Sequence, residues 1–171
     1  GSKSLFVNCV MSTSNTKVSP VIDLQRVSAF TIQNRINQPS ASDVNYVADT
    51  TNVGTSSAAS YLTKPVILEN LSTAIDVRLT SNIRSTSKVE VYFRTSSSEE
   101  ARNIDDLSWI PFNTTGTSDS TVTPSEDSET FKEYKYSTTG LNEFTAFQIK
   151  IVMKGTNSAY PPVIRDMRGI A

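Results

Sequence analysis

Residues 75–94 read IDVRLTSNIRSTSKVEVYFR. Ile75, Val77 and Leu79 alternate with Asp76, Arg78 and Thr80, and Val89, Val91 and Phe93 alternate with Glu90, Tyr92 and Arg94. A strand turns successive side chains to opposite faces, so a period of two with apolar residues on one side predicts two half-buried strands. Ser81, Asn82 and residues 85–88 supply turn chemistry between them, and the reading makes the two strands antiparallel neighbours.

The same period recurs outward from this stretch. Phe147, Ile149, Ile151 and Met153 form another strand, stopped by Gly155, Thr156, Asn157 and Ser158, and Pro161 and Pro162 introduce a last apolar segment over residues 163–170. Upstream, residues 3–11 read as a first strand, and residues 21–36, after Pro20, as one bent strand or two short ones. No stretch carries a strong helical period. Strands separated by polar turns predict an all-β fold with little helix, an antiparallel β-sandwich of jelly-roll-like form. Residues 3–171 read as a single domain, with Gly1 and Ser2 as the remnant of an expression tag. Two polar stretches, 37–60 and 113–130, read as long loops, a length that favours binding loops or arms that order against a partner.

Composition narrows the function. The chain has 171 residues, 37% of them hydrophobic, and can bury a core without disulfides or metals. Ser and Thr make up roughly a quarter of it, a bias toward strands and polar turns. A formal net charge of −1 offers no field for nucleic acid, and no apolar run is long enough for membrane insertion. The absence of histidine removes the commonest general base and zinc ligand, and with them most hydrolase designs. No cofactor is expected. Cys9, the one cysteine, follows Leu5 and Val7 and precedes Met11 at alternate positions, and is expected to be a small buried hydrophobe.

Each candidate for chemistry has a plainer alternative. The acidic groups Glu99, Glu100, Asp105 and Asp106, and Glu126, Asp127 and Glu129, match no calcium-loop spacing and read as solvated loop charge, so no metal site is expected. Two facing carboxylates would suffice for a glycosidase, the one enzyme class left open, but spacing in sequence does not show a cleft. No catalytic residue is expected. Trp109 is a platform for a sugar ring or, with Leu107, Ile110 and Phe112 around it, a core residue. Tyr134 and Tyr136 share one strand face, as a sheet rim or as a tyrosine-rich contact patch. If a glycan or receptor is bound, Trp109, Tyr134, Tyr136, Asp105 and Asp106 are the candidate contacts.

Four strings, VSPVIDLQRVSAFTIQNRIN (18–37), YLTKPVILEN (61–70), DDLSWIPFN (105–113) and FQIKIVMKGTNSAYPPVIRDMRGIA (147–171), together resemble structural modules of contractile-tailed bacteriophages, baseplate and tail-fibre-associated proteins in particular. The closing PVIRD strand is also similar to the end of galactose-binding-like jelly rolls. The resemblance implies a virion component of the tail or baseplate that acts by protein–protein contact with other virion subunits. It leaves a host surface glycan and a homo-oligomer open as further partners.

Overall fold

The computed structural model describes residues 8–14, 21, 41–42, 44, 46–55, 57, 59–157 and 159–171. The chain divides into two compact units, Gly1–Thr31 and Ile32–Ala171. In the first, residues 8–14 are exposed and carry no strand. Cys9 is therefore a solvent-facing thiol, which corrects the expectation of a buried one. Alternation in sequence marks a strand face only where a second layer covers it. The rest of the expected strands at 3–11 and 21–36 lies outside the described residues, apart from the exposed Val21.

The second unit is an antiparallel β-sandwich. Its strands are β1 (Ser60–Leu62), β2 (Val66–Ser72), β3 (Ile75–Asn82), β4 (Ser87–Ser96), β5 (Ile110–Pro111), β6 (Lys132–Thr138), β7 (Phe144–Gly155) and β8 (Val163–Ile170), with single 3-10 turns at Ile104–Asp106 and Phe112–Thr114. One sheet runs β1-β7-β4-β5, with β2 also paired to β7; the other runs β6-β3-β8. In this unit the runs at 75–79, 89–93 and 147–153 each form the strand their period predicts. Ile75, Val77 and Leu79 from β3 meet Val89, Val91 and Phe93 from β4 and Phe147, Ile149 and Ile151 from β7 in one core. The described residues of 37–60 carry no strand before Ser60, and 113–130 carries none.

The expected pairing of β3 with β4 is not formed, because the two strands belong to opposite sheets. The cause lies in their connection. A hairpin would leave residues 81–88 in water, whereas Ser81, Asn82 and Ile83 are all buried. Asn82 donates through its amide to the carbonyls of Asp127 (2.7 Å) and Thr130 (2.8 Å), and Ser125 N–H donates to Ile83 O (2.7 Å). The polar 113–130 loop thus satisfies a chain that crosses from one sheet to the other.

Phe112 closes the far side of the core, 4.8 Å from the Phe93 ring and 6.1 Å from the Tyr136 ring, and is fully buried. Phe112→Ala should cost about 3–5 kcal/mol of stability, read from urea unfolding. Nearby, Gly116 holds φ +80°, and a Cβ there would lie 3.0 Å from Glu90 Cβ and 3.2 Å from Val91 N. Gly116→Ala should therefore destabilise by about 1–3 kcal/mol in the same assay, from backbone strain and contact together.

Candidate functional site

Strands β4 and β7 lie side by side in the middle of their sheet, with Glu90 opposite Val152, Tyr92 opposite Lys150 and Arg94 opposite Gln148. These residues point away from the hydrophobic core, yet they too are buried. Parts of the segment 46–59 and the turn at 104–109 cover them: Trp109 N–H donates to Thr50 O (2.9 Å), Ser57 Oγ to Met153 O (3.0 Å) and Met153 N–H to Ala59 O (2.9 Å). Tyr92, Trp109 and Val152 make a small second apolar cluster there. The result is a covered layer rich in charge on the outer face of the sheet.

Each charge in the layer has found compensation. Arg94 donates from Nε (2.8 Å) and Nη2 (2.6 Å) to Gln148 Oε1 and from Nη1 to Asp105 O (2.9 Å) and Leu107 O (3.1 Å), and it pairs with the Asp105 carboxylate. Its guanidinium lies 4.2 Å from the centre of the Trp109 ring. Lys154 bridges the carboxylates of Asp49 (2.7 Å) and Glu90 (2.6 Å), while Tyr92 donates its hydroxyl to Glu90 (2.8 Å). Burial pushes the Glu90 carboxyl up, but the bonds from Lys154, Lys88 and Tyr92 outweigh it and hold the group below its ordinary range. Lys154 shows the mirror image, with burial overcome by its two carboxylates.

Lys150 is different in kind. It is 0% exposed, it donates to the backbone carbonyl of Asp49, and its ammonium sits 4.9 Å from the Trp109 ring centre and 5.2 Å from that of Tyr92. Cation–π attraction to the two rings offsets part of the hydration that was lost. Burial nevertheless pushes its pKa down to about 8; the Asp49 charge opposes that shift, and Arg94 and Lys154 add to it. The Trp109 Nε1–H finds no acceptor among the described residues.

The residues singled out from sequence do not form one site. Trp109 is core, but of this second layer, and presents no platform to solvent. Tyr134 (3% exposed) and Tyr136 (0%) are neither a rim nor a contact patch. They stand opposite Leu79 and Val77 in the β3–β6 register and so point into the main core. Asp105 and Asp106 are exposed on their 3-10 turn, and Arg94 brings Asp105 to Trp109. The other acids hold loops: Asp127 accepts from the N–H of Glu129 and Thr130, and Asp119 accepts from Ser137 and Asn113. Among the described residues no three His, Cys, Asp or Glu gather as metal ligands. Sequence reading passed over Asp49, Glu90, Arg94, Lys150 and Lys154. The signal available was Gln148, Lys150 and Lys154 at the polar positions of a strand otherwise strongly apolar.

The open surface lies elsewhere. On one flank a groove of about 550 Å³ runs between β1 and β8, lined by Tyr61 of β1, Ile151 and Met153 of β7, and Val163 and Met167 of β8 among others. Tyr61 and Val163 at this groove are exposed, as are Leu62 of β1, Val66, Ile67 (74%) and Leu71 of β2, and Ile170 (62%) of β8. At one end of the sandwich a shallower cavity of about 390 Å³ is lined by Arg84, Glu126, Asn157 and Tyr160, with the Arg84 guanidinium 5.4 Å from the exposed Tyr160 ring. No family model, curated protein or solved structure matches this chain. Among the described residues no helix is long and apolar enough to cross a membrane.

Lys150 predicts a definite pH dependence. Between its folded pKa of about 8 and the ordinary 10.5, the unfolded chain holds a proton that the native chain does not, so this group makes stability rise with pH across that window. Urea midpoints taken across it should rise for the wild type relative to Lys150→Met, which should lack this contribution.

Proposed function

We propose that this chain is a non-enzymatic structural module that works by protein–protein contact, through its exposed edge strands β1, β2 and β8. One observation carries the reading: seven exposed large apolar residues, Tyr61, Leu62, Val66, Ile67, Leu71, Val163 and Ile170, lie on three strands at sheet edges, β1, β2 and β8. Exposed apolar surface concentrated on a sheet edge favours burial against another protein, and edge strands offer backbone donors and acceptors to it. The buried charges between β4 and β7, Glu90, Arg94 and Lys150, are enclosed with partners that stabilise the fold. The likeness of four sequence strings to tail and baseplate modules of contractile-tailed phages supports a virion as the setting, with other virion subunits as partners.

A recognition module for a host glycan is the second reading. It draws support from the cavity at Arg84 and Tyr160, where an exposed ring lies beside Glu126 and Asn157. The residues first considered for a glycan, Trp109, Tyr134 and Tyr136, offer no accessible ring face.

The test is incorporation into the native assembly of the organism that encodes the chain. Ile67→Lys with Leu71→Lys should lower the amount of protein in the purified assembly by about tenfold or more while the far-UV CD spectrum is kept, because both positions are exposed and outside the core. Undiminished incorporation, together with a glycan-array signal lost on Tyr160→Ala, would put recognition in its place.

A further inference from the structure

Strand β8 is the outer strand of its sheet, and among the described residues its strand partner is β3 alone. An edge of this kind is a template for one more strand, and the side chains along it decide which strand fits. The outward positions carry Asp166 and Arg168, with Arg168 bonded to Glu133 and paired at 3.3 Å with Asp166 of its own strand. Between them Met167 packs against the core at the lip of the groove. The register against β3 shifts at Arg165, whose guanidinium stacks 3.9 Å from the Phe131 ring centre. That contact draws the long Arg165 side chain to its own chain.

We propose that a second copy of this chain pairs with the first along β8, antiparallel and about a two-fold axis at Met167, so that the two three-stranded sheets become one. The inference rests on the contact reading above and names its partner. Symmetry restricts the choice of register. In a two-fold antiparallel pair the residue on the axis faces its own copy, and the residues on either side of it face each other. With Met167 on the axis, Asp166 of each copy stands opposite Arg168 of the other. Moving the axis to Asp166 sets two carboxylates face to face, and moving it to Arg168 sets two guanidiniums face to face; like charges directly opposite are destabilising. The edge is thus self-complementary in charge in one central register. Exposed ion pairs contribute little affinity, so these pairs select the alignment. Backbone hydrogen bonds between the two β8 strands supply the attraction.

Light scattering over a concentration series should give twice the chain mass, falling toward one chain on dilution. Asp166→Arg alone and Arg168→Asp alone each set like charges opposite and should weaken self-association by about tenfold or more. An equimolar mixture of the two variants restores opposite charges at both contacts and should recover the dimer, an outcome that loss of fold in either variant would not produce. Independently, Met167→Cys in a Cys9→Ser background should oxidise to a disulfide-linked dimer, because opposite Cα atoms lie about 4.5–5.5 Å apart, while Ile170→Cys in that background should not. A single-chain mass at every concentration, a mixture that stays monomeric, or crosslinking at 170 in preference to 167 would overturn the proposal. If the wild type is monomeric and Ile67→Lys with Leu71→Lys still prevents incorporation, self-pairing is wrong and the contact reading stands.

Discussion

Burial of both faces of β7 is the constraint on which the second unit depends. A strand in the middle of a sandwich sheet is expected to be covered on one face, and Phe147, Ile149 and Ile151 meet that expectation in the main core. Gln148, Lys150 and Val152 on the other face are covered as well. Covering them with chain from residues 46–59 takes two lysines and an arginine out of water, so carboxylates, carbonyls and aromatic faces had to be supplied in their place. Asp49, Glu90, Asp105, Tyr92 and Trp109 supply them. A segment without regular structure is thereby fixed to a sheet by electrostatics, where an apolar cover would have held it by area alone.

Much of the fold was legible because alternation is a local signal. Ile75 to Leu79, Val89 to Phe93 and Phe147 to Met153 each declared a strand and its inward face, and the inward faces proved to share one core. What alternation does not carry is the identity of the neighbouring strand. The turn residues between β3 and β4 looked like a hairpin, and only the burial of Ser81, Asn82 and Ile83 shows that the chain changes sheets there. Cys9 fits the same lesson from the other side, since an alternating run says nothing of whether a second layer covers it.

The candidate site was less legible, for a related reason. Tyr134 and Tyr136 were correctly placed on one strand face, but which face meets the core depends on β3, more than fifty residues away along the chain and opposite them in register. Lys150 reads in sequence as the polar half of an amphipathic strand. Its enclosure follows from Asp49 and Trp109, which approach it from two separate loops. For Trp109 the sequence left a sugar platform and a core residue both open; it is buried, in a layer that its apolar neighbours did not announce.

The passage of the chain from β3 into the opposite sheet also bears on how the unit assembles. Neither long strand of the 75–94 stretch can pair with the other, so each must wait for chain made much later. The nearest rung between β4 and β7 joins Ser96 to Ala146, and that between β3 and β6 joins Ser81 to Lys132. Among the described strands the smallest separation is that of the two-rung β4–β5 ladder, Phe93 to Ile110. Large loops must close before their contacts reward them, which places such topologies among the slow folders, on the order of milliseconds to seconds. During synthesis β3 and β4 would emerge from the ribosome well before β7 and β8, and their apolar faces would be without the strands that cover them until those strands followed.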